Sequence, residues 1–234
     1  PNDEINIHTE PIQSIFTGWL RKIPLLRGFL AIVEVMIIGT RALMRSANLA
    51  LGEDPSGSTT LLMWITLVLG LIIGVGIFLV FPLYVQEWID QYIRSAVLLN
   101  LIEGVLRLIL FLSYLTLIGL MEDIKRVFAY HGAEHMTIHA LEHGDPLEVE
   151  FVKRHTTLHP RCGTAFLLIV VVIAILAFVA LGHPPLWLRI ISRIALMPVI
   201  AGLAYEIIRF HGAHESNRLI NFALFPSLAL QKLT

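Results

Sequence analysis

Charge is scarce in this sequence. Aspartate, glutamate, lysine and arginine together make up 15% of its 234 residues, against roughly 25% in soluble domains. With 56% hydrophobic residues and a mean hydropathy of +0.75, a water-soluble fold of this size would lack the polar side chains to cover its core. Neither sign of charge dominates. The formal net charge of −1 gives no reason to expect nucleic-acid binding or bulk attraction to anionic surfaces. Cysteine is rarer still: Cys162 stands alone, which excludes an internal disulfide and a disulfide-stapled secreted fold. The chain opens at Pro1 with neither a basic n-region nor a small-residue cleavage site. No signal peptide is expected here, and the start reads as trimmed. What remains is an integral membrane protein.

Long apolar runs then set the architecture. Leu61 to Val85 holds no charge over 25 residues, about 37 Å as a helix and enough to cross a hydrocarbon core. Gly70 and Gly74 within it form a small-xxx-small pair, a common pattern that would let another helix approach. Ser95 to Met121 also spans, although it carries Asn100, Glu103 and Arg107. Ala165 to Leu181 is a third span, and after Pro184-Pro185 the stretch Leu186 to Ile208 returns across the membrane. Asn100, Glu103 and Arg107 form a polar stripe, which reads either as a functional feature or as an i, i+4 ion pair that knits the bundle. Arg189 and Arg193 lie at the opposite end of the last span from Glu206, which argues against pairing with it.

Gly28 to Asn48 is apolar too, but Arg27, Glu34, Arg41 and Arg45 fall on one side of the helix it would form. Central charges cost about 2.5–3.5 kcal/mol each on insertion scales. An interfacial or re-entrant helix is therefore expected rather than a fifth span. Gly52 to Thr60 reads as a polar turn. The expected fold is all-α: four transmembrane helices, an N-terminal interfacial segment over residues 1–60, and a membrane domain over 61–234. Between spans two and three lies a histidine-rich insertion, 122–163. Thirteen of the 17 lysines and arginines fall on one side of this topology. The positive-inside rule then places both termini and the insertion in the cytoplasm of a multi-pass inner-membrane protein.

Six of the ten histidines lie between His131 and His159. The sharpest motif is Tyr130-His131-Gly132-Ala133-Glu134-His135. On a helix, His131 and His135 stand one turn apart and can reach one ion, as in zinc sites. Glu134 beside them is placed to act as a general base towards water, as in the inverted zincins. A third ligand is required. His139 continues the series, but each four-residue step rotates by about 40°, so three successive histidines seldom share an ion. Glu142 is a local candidate. The segment His159-Pro160-Arg161-Cys162-Gly163-Thr164 offers His159 and Cys162, both competent for a borderline-soft metal. Glu206 reaches the same depth from the last span. The plain readings stand beside these: His139, His143 and His155 as a solvated face, Cys162 as a small buried side chain, and Arg161 to Thr164 as a helix start. His211, His214 and Glu215 read as tail residues beyond a span.

The paired motifs His131-Gly132-Ala133-Glu134-His135 and His159-Pro160-Arg161-Cys162-Gly163-Thr164 resemble the signature of the YqhQ-like bacterial integral membrane proteins. Pro24-Leu25-Leu26-Arg27-Gly28, Tyr205-Glu206 and Leu230-Gln231-Lys232-Leu233-Thr234 extend the resemblance over nearly the whole chain. That family is described as of unknown function and as predicted metal-dependent enzymes. Its members usually carry a glycine-rich stretch before this region and a short extension after it, so the chain reads as a membrane core. The resemblance implies four spans and a metal at His131 and His135. It supplies no substrate.

Three functions are consistent with these features. The first is a cytoplasm-facing metal-dependent hydrolase, with a peptide bond of a membrane-associated substrate as the target. Zn²⁺ or another divalent transition metal would sit on His131 and His135, completed by Glu206, His159 or Cys162. Glu134 would be the general base, and Arg161 would stabilise a developing oxyanion. The second is a membrane scaffold or assembly factor with a structural metal or none. The third is an ion transporter using Glu103, Arg107 and Glu206, for which a homo-oligomer would be needed to line a pore. The bilayer is the one partner common to all three.

Overall fold

The computed structural model describes residues 19–51, 57–213 and 218–234. Among the described residues all regular structure is helical. A short 3₁₀ turn, Trp19–Lys22, leads into α1 (Leu26–Leu51). Then follow α2 (Gly57–Val75), α3 (Phe81–Asp90), α4 (Ala96–Ile118), α5 (Glu122–His143), the single turn α6 (Val149–Val152), α7 (Gly163–Leu181), α8 (Leu186–Ala213) and α9 (Arg218–Leu230).

Four helical stretches are long and apolar enough to cross a membrane: Trp64–Asp90, Ala96–Ile118, Gly163–Leu181 and Leu186–Ala213. They correspond to the four spans read from hydropathy. In hydrocarbon each backbone N–H and C=O must be paired within the chain, and a continuous helix does this without a partner. Of the polar turn expected over Gly52 to Thr60, residues 52–56 lie outside the described residues. Gly57 to Thr60 instead form the first turn of α2. Serine and threonine suit a helix start as well as a turn, and the apolar run behind them extends the helix.

The first span is interrupted by a π turn, Gly76–Val80, immediately before α3. Pro82 explains it. Its ring has no N–H to donate and crowds the carbonyl four residues back, that of Phe78. The Phe78 carbonyl, so released, accepts a 3.0 Å hydrogen bond from Arg107 Nε. A local sequence constraint on one helix thus creates a polar docking point for the next.

That contact belongs to a buried polar network joining α3, α4 and α8. Glu103 Oε1 accepts from Arg107 at 2.5 Å and from Arg193. Asn100 Oδ1 accepts from Gln86 at 3.1 Å, and its amide donates to the Gly182 carbonyl at 2.9 Å. Arg189 bonds Gln86 and Glu87. The guanidinium carbons of Arg107 and Arg193 lie 5.2 and 4.5 Å from the centroid of the Phe178 ring. The ion-pair reading of the polar stripe therefore holds, with Arg193 as a third member. Arg189 and Arg193 do pair away from Glu206.

The next two turns of α4 carry Phe111 and Leu115, which pack with Leu230 of α9. A second apolar cluster, Ala174, Phe178 and Ile200, joins α7 to α8. Close approach at two glycines fixes neighbouring helices. A Cβ on Gly104 would meet Ile175 of α7 at 2.5 Å, and one on Gly202 would meet the Leu25 carbonyl oxygen at 2.4 Å. The latter contact seats the start of α1 against α8, where Leu25 adopts a left-handed φ of 68°. The Leu25 N–H points at Glu206 Oε1, 3.4 Å away.

Candidate metal centre

The site is built on three pieces of chain that meet at one end of the bundle. The first is α5. Glu122 and Asp123 in its first turn suit the positive end of the helix dipole. Its far end closes on Gly144 in the left-handed conformation, whose N–H reaches the Ala140 and Leu141 carbonyls. The second is the loop 153–162, and the third is the N-terminus of α7. There Cys162 is the N-cap residue, its Sγ accepting from the Thr164 N–H at 3.3 Å. The plain reading as a helix start and the reading as a ligand are both compatible with this position.

His131 and His135 share a face of α5, their ring centroids 4.3 Å apart. Cys162 Sγ lies 3.4 Å from His131 Nε2. One ligand atom from each of His131, His135 and Cys162 falls within 4.8 Å of the others. Two donors on one tetrahedral zinc, with bonds of about 2.3 Å to sulfur and 2.05 Å to nitrogen, stand about 3.6 Å apart. The thiol and His131 are thus already near ligating separation. His135 Nδ1 is 2.6 Å from the Thr157 carbonyl. A carbonyl only accepts, so Nδ1 carries the proton and Nε2 keeps its lone pair, which is the outer support typical of a metal-bound histidine. Burial holds His135 below the usual histidine pKa, partly offset by that bond to Thr157. The neutral ring is the ligating form.

A second group comprises His139, Glu142 and His159, again with donor atoms within 4.8 Å. Hydrogen bonding sets it apart from the first. His159 Nδ1 accepts the Arg161 N–H at 3.2 Å, so in the neutral ring the proton sits on Nε2. That buried atom has no hydrogen-bond partner and lies 3.5 Å from Glu142 Oε2, beyond a full hydrogen bond. His159 therefore turns a proton, not a lone pair, towards Glu142. Burial keeps its pKa low, with nearby His139 pushing the same way and Glu142 opposing. The ring centroid of His159 lies 5.6 Å from that of His135 and 4.8 Å from that of His139. His139, expected on a solvated face, is instead half-buried, its Nε2 on the Leu158 carbonyl at 2.9 Å.

The remaining expected site residues separate. Glu134 is exposed and lines a cavity of about 470 Å³ together with His131, Phe128 and Thr164. Arg161 does not line that cavity. Its NH1 donates to Glu142 at 3.1 Å, and its side chain lies over Gly212 of α8. Glu206 stands outside both donor groups. Its carboxylate takes Arg27 Nε at 2.6 Å and a second bond from the same guanidinium. The depth expected for Glu206 was a projection along one helix, whereas its partner comes from α1. His211 is buried, and residues 214–217, with His214 and Glu215, lie outside the described residues.

Thr157 and Gln231 were not foreseen. Thr157 has no motif because it acts through its carbonyl. Gln231, although it lies in the Leu230–Thr234 stretch that carries the resemblance, reaches the site from the end of α9, which no spacing indicates. The Gln231 amide accepts the His159 N–H at 2.8 Å and donates to the His159 carbonyl at 2.9 Å.

Fold and cluster together define a multi-pass helical membrane protein with a histidine–thiol group at one end of its bundle. The chain belongs to the family described as "Protein of unknown function (DUF1385)", whose model matches residues 23–234. It is similar to "Uncharacterized protein YqhQ" of Bacillus subtilis (strain 168), with 33% identity over 229 residues, covering 92% of this chain and 72% of that protein. No solved structure matches it.

Proposed function

We propose that this protein is a membrane-embedded metal-dependent hydrolase whose site faces the cytoplasm, with a peptide bond of a membrane-associated substrate as its target. The observation that carries the reading is the gathering of His131, His135 and Cys162 ligand atoms within 4.8 Å, while Glu134 opens onto the cavity that His131 lines. Two neutral imidazoles and one thiolate suit Zn²⁺ and leave a fourth position open, as catalytic zinc sites do. Bound there, the ion would act as a Lewis acid on the scissile carbonyl. Glu134 is free of the donor group and takes the proton of the attacking water, then returns it to the leaving amine. His135 is held in register by Thr157. Arg161, fixed on Glu142, holds the loop that presents Cys162. The bias of lysine and arginine towards one side supports a cytoplasmic site.

Metal content per chain, measured by plasma mass spectrometry on detergent-purified protein, tests this reading. Near-stoichiometric zinc that is lost in His135→Ala and kept in Glu134→Gln is the expected result. Zinc lost equally in Glu134→Gln would make that carboxylate a ligand and the site a closed, structural one, as a scaffold or assembly factor requires. Wild-type protein that purifies metal-free without chelators and takes up no added zinc would overturn the proposal.

A further inference from the structure

The loop that carries Cys162 is short, polar and irregular, yet His159 and Cys162 within it are buried. A buried irregular segment must find partners for its peptide groups or bear the penalty of unpaired ones. The His159 peptide finds both from one side chain. Gln231, 6% exposed, accepts its N–H at 2.8 Å and donates to its C=O at 2.9 Å. The pairing joins residues 72 apart in sequence.

We propose that Gln231 is a positioning residue for the metal centre: its amide clamps the His159 peptide and thereby sets where Cys162 Sγ stands relative to His131 and His135. The link is short. Cys162 N–H bonds the His159 carbonyl at 3.2 Å, the same oxygen that receives the Gln231 amide. Clamp and ligand therefore meet on one atom. Gln231 is in turn held by α9, whose Leu230 packs into the Phe111–Leu115 cluster. Three residues on, Thr234 meets the Thr164 hydroxyl at 3.3 Å, on the first turn of the helix that Cys162 caps. The segment after α9 thus braces both sides of Cys162. The inference rests on the metal reading for its consequence, but the clamp exists without a metal.

The test compares wild type with Gln231→Met, which keeps the length and removes both bonds, and Gln231→Asn, which keeps both amide groups on a shorter arm. Each full-length variant is titrated with Co²⁺, whose thiolate charge-transfer absorption reports Cys162 and whose visible bands report the histidines. Loss of an outer-shell partner typically weakens metal binding by about 10–100-fold. That shift, with a weakened thiolate band at unchanged helix content, is expected for Gln231→Met, and a smaller one for Gln231→Asn. Equal affinity and an equal thiolate band in all three would overturn the proposal. Maleimide labelling of Cys162 without metal is the second arm. The clamp predicts faster labelling in Gln231→Met than in wild type. If wild type binds no cobalt, the metal reading fails, while labelling still decides the positioning role: equal rates would sink it.

Discussion

Two clusters of buried polar side chains occupy this protein, and they are built in opposite ways. In the bundle, Glu103 stands between Arg107 and Arg193, with Asn100, Gln86 and Arg189 extending the network. Charges of opposite sign face each other there, and the Phe178 ring covers two of the guanidinium groups. At the end of the bundle, ligand atoms of His131, His135 and Cys162 lie within 4.8 Å of one another, and the nearby carboxylate of Glu134 acts on His135 only through space. Like donors turned inward beside a cavity are what an ion could satisfy. The carboxylate between two arginines already has its counter-charges on Oε1, although its buried Oε2 has no hydrogen-bond partner. Intramembrane charge is commonly read as a functional signal, but here it serves the joint between α3, α4 and α8. Along α4 it is followed by Phe111 and Leu115, which pack with Leu230.

Removing the charge between the arginines should have the largest effect. Glu103→Gln leaves Arg107 and Arg193 buried without a carboxylate, and breaking a buried pair in this way typically costs about 3–5 kcal/mol. Unfolding in detergent should show that loss, and the fraction still folded should bind metal as wild type does. A stable variant with altered metal content would erase the distinction between the two clusters.

A smaller loss is expected at the α1–α8 joint. Gly202→Ala brings a Cβ to 2.4 Å from the Leu25 carbonyl oxygen, a backbone atom that cannot swing away. Overpacking of this kind costs about 1–3 kcal/mol. The thermal midpoint should fall while cobalt affinity stays put, because Glu206 and Arg27 hold α1 without touching the donor group. Weaker cobalt binding would return Glu206 to the site.

Acid should discriminate next. Burial keeps His135 and His159 below the ordinary histidine value, so the folded chain prefers them neutral. The unfolded chain takes up those protons first. Their contribution to stability is whole above about pH 6.5 and is lost as pH falls through the folded-state values. Melting of metal-free protein in steps from about pH 7.5 to 5 should show the decline, and His159→Phe should flatten part of it. A midpoint that rises on acidification would contradict the burial argument.

The smallest effect belongs to the outer end of α5. His143 is exposed; its ring donates to the His139 carbonyl of its own helix and tilts against the His155 ring, centroids 5.1 Å apart. His143→Ala should change stability by less than about 0.5 kcal/mol and leave zinc content unchanged. A loss of metal there would widen the centre to the whole histidine row.

Hydrophobic run length determined the four spans, because lipid demands internal backbone pairing and leaves the helix as the cheapest answer. Helical spacing alone placed His131, Glu134 and His135 together, and proline and glycine marked where α5 and α7 end. Local chemistry even accounts for the π turn, through Pro82. What periodicity does not encode is which distant group answers each buried one. Glu206 was expected beside the histidines, and Arg27, 179 residues away in sequence, holds it instead. Arg161 was expected at the reacting carbonyl and bonds Glu142. Cys162 and His159 lie in one short loop, yet they face different donor groups, because the Arg161 N–H takes the His159 Nδ1 and Gln231 pins its peptide. Thr157 acts through a carbonyl that no residue pattern advertises, and the Leu230–Thr234 stretch that contains Gln231 does not name the His159 peptide its amide pairs with. Contacts of that kind are decided only when α5, α7, α8 and α9 close around the loop and every buried peptide group must find a partner.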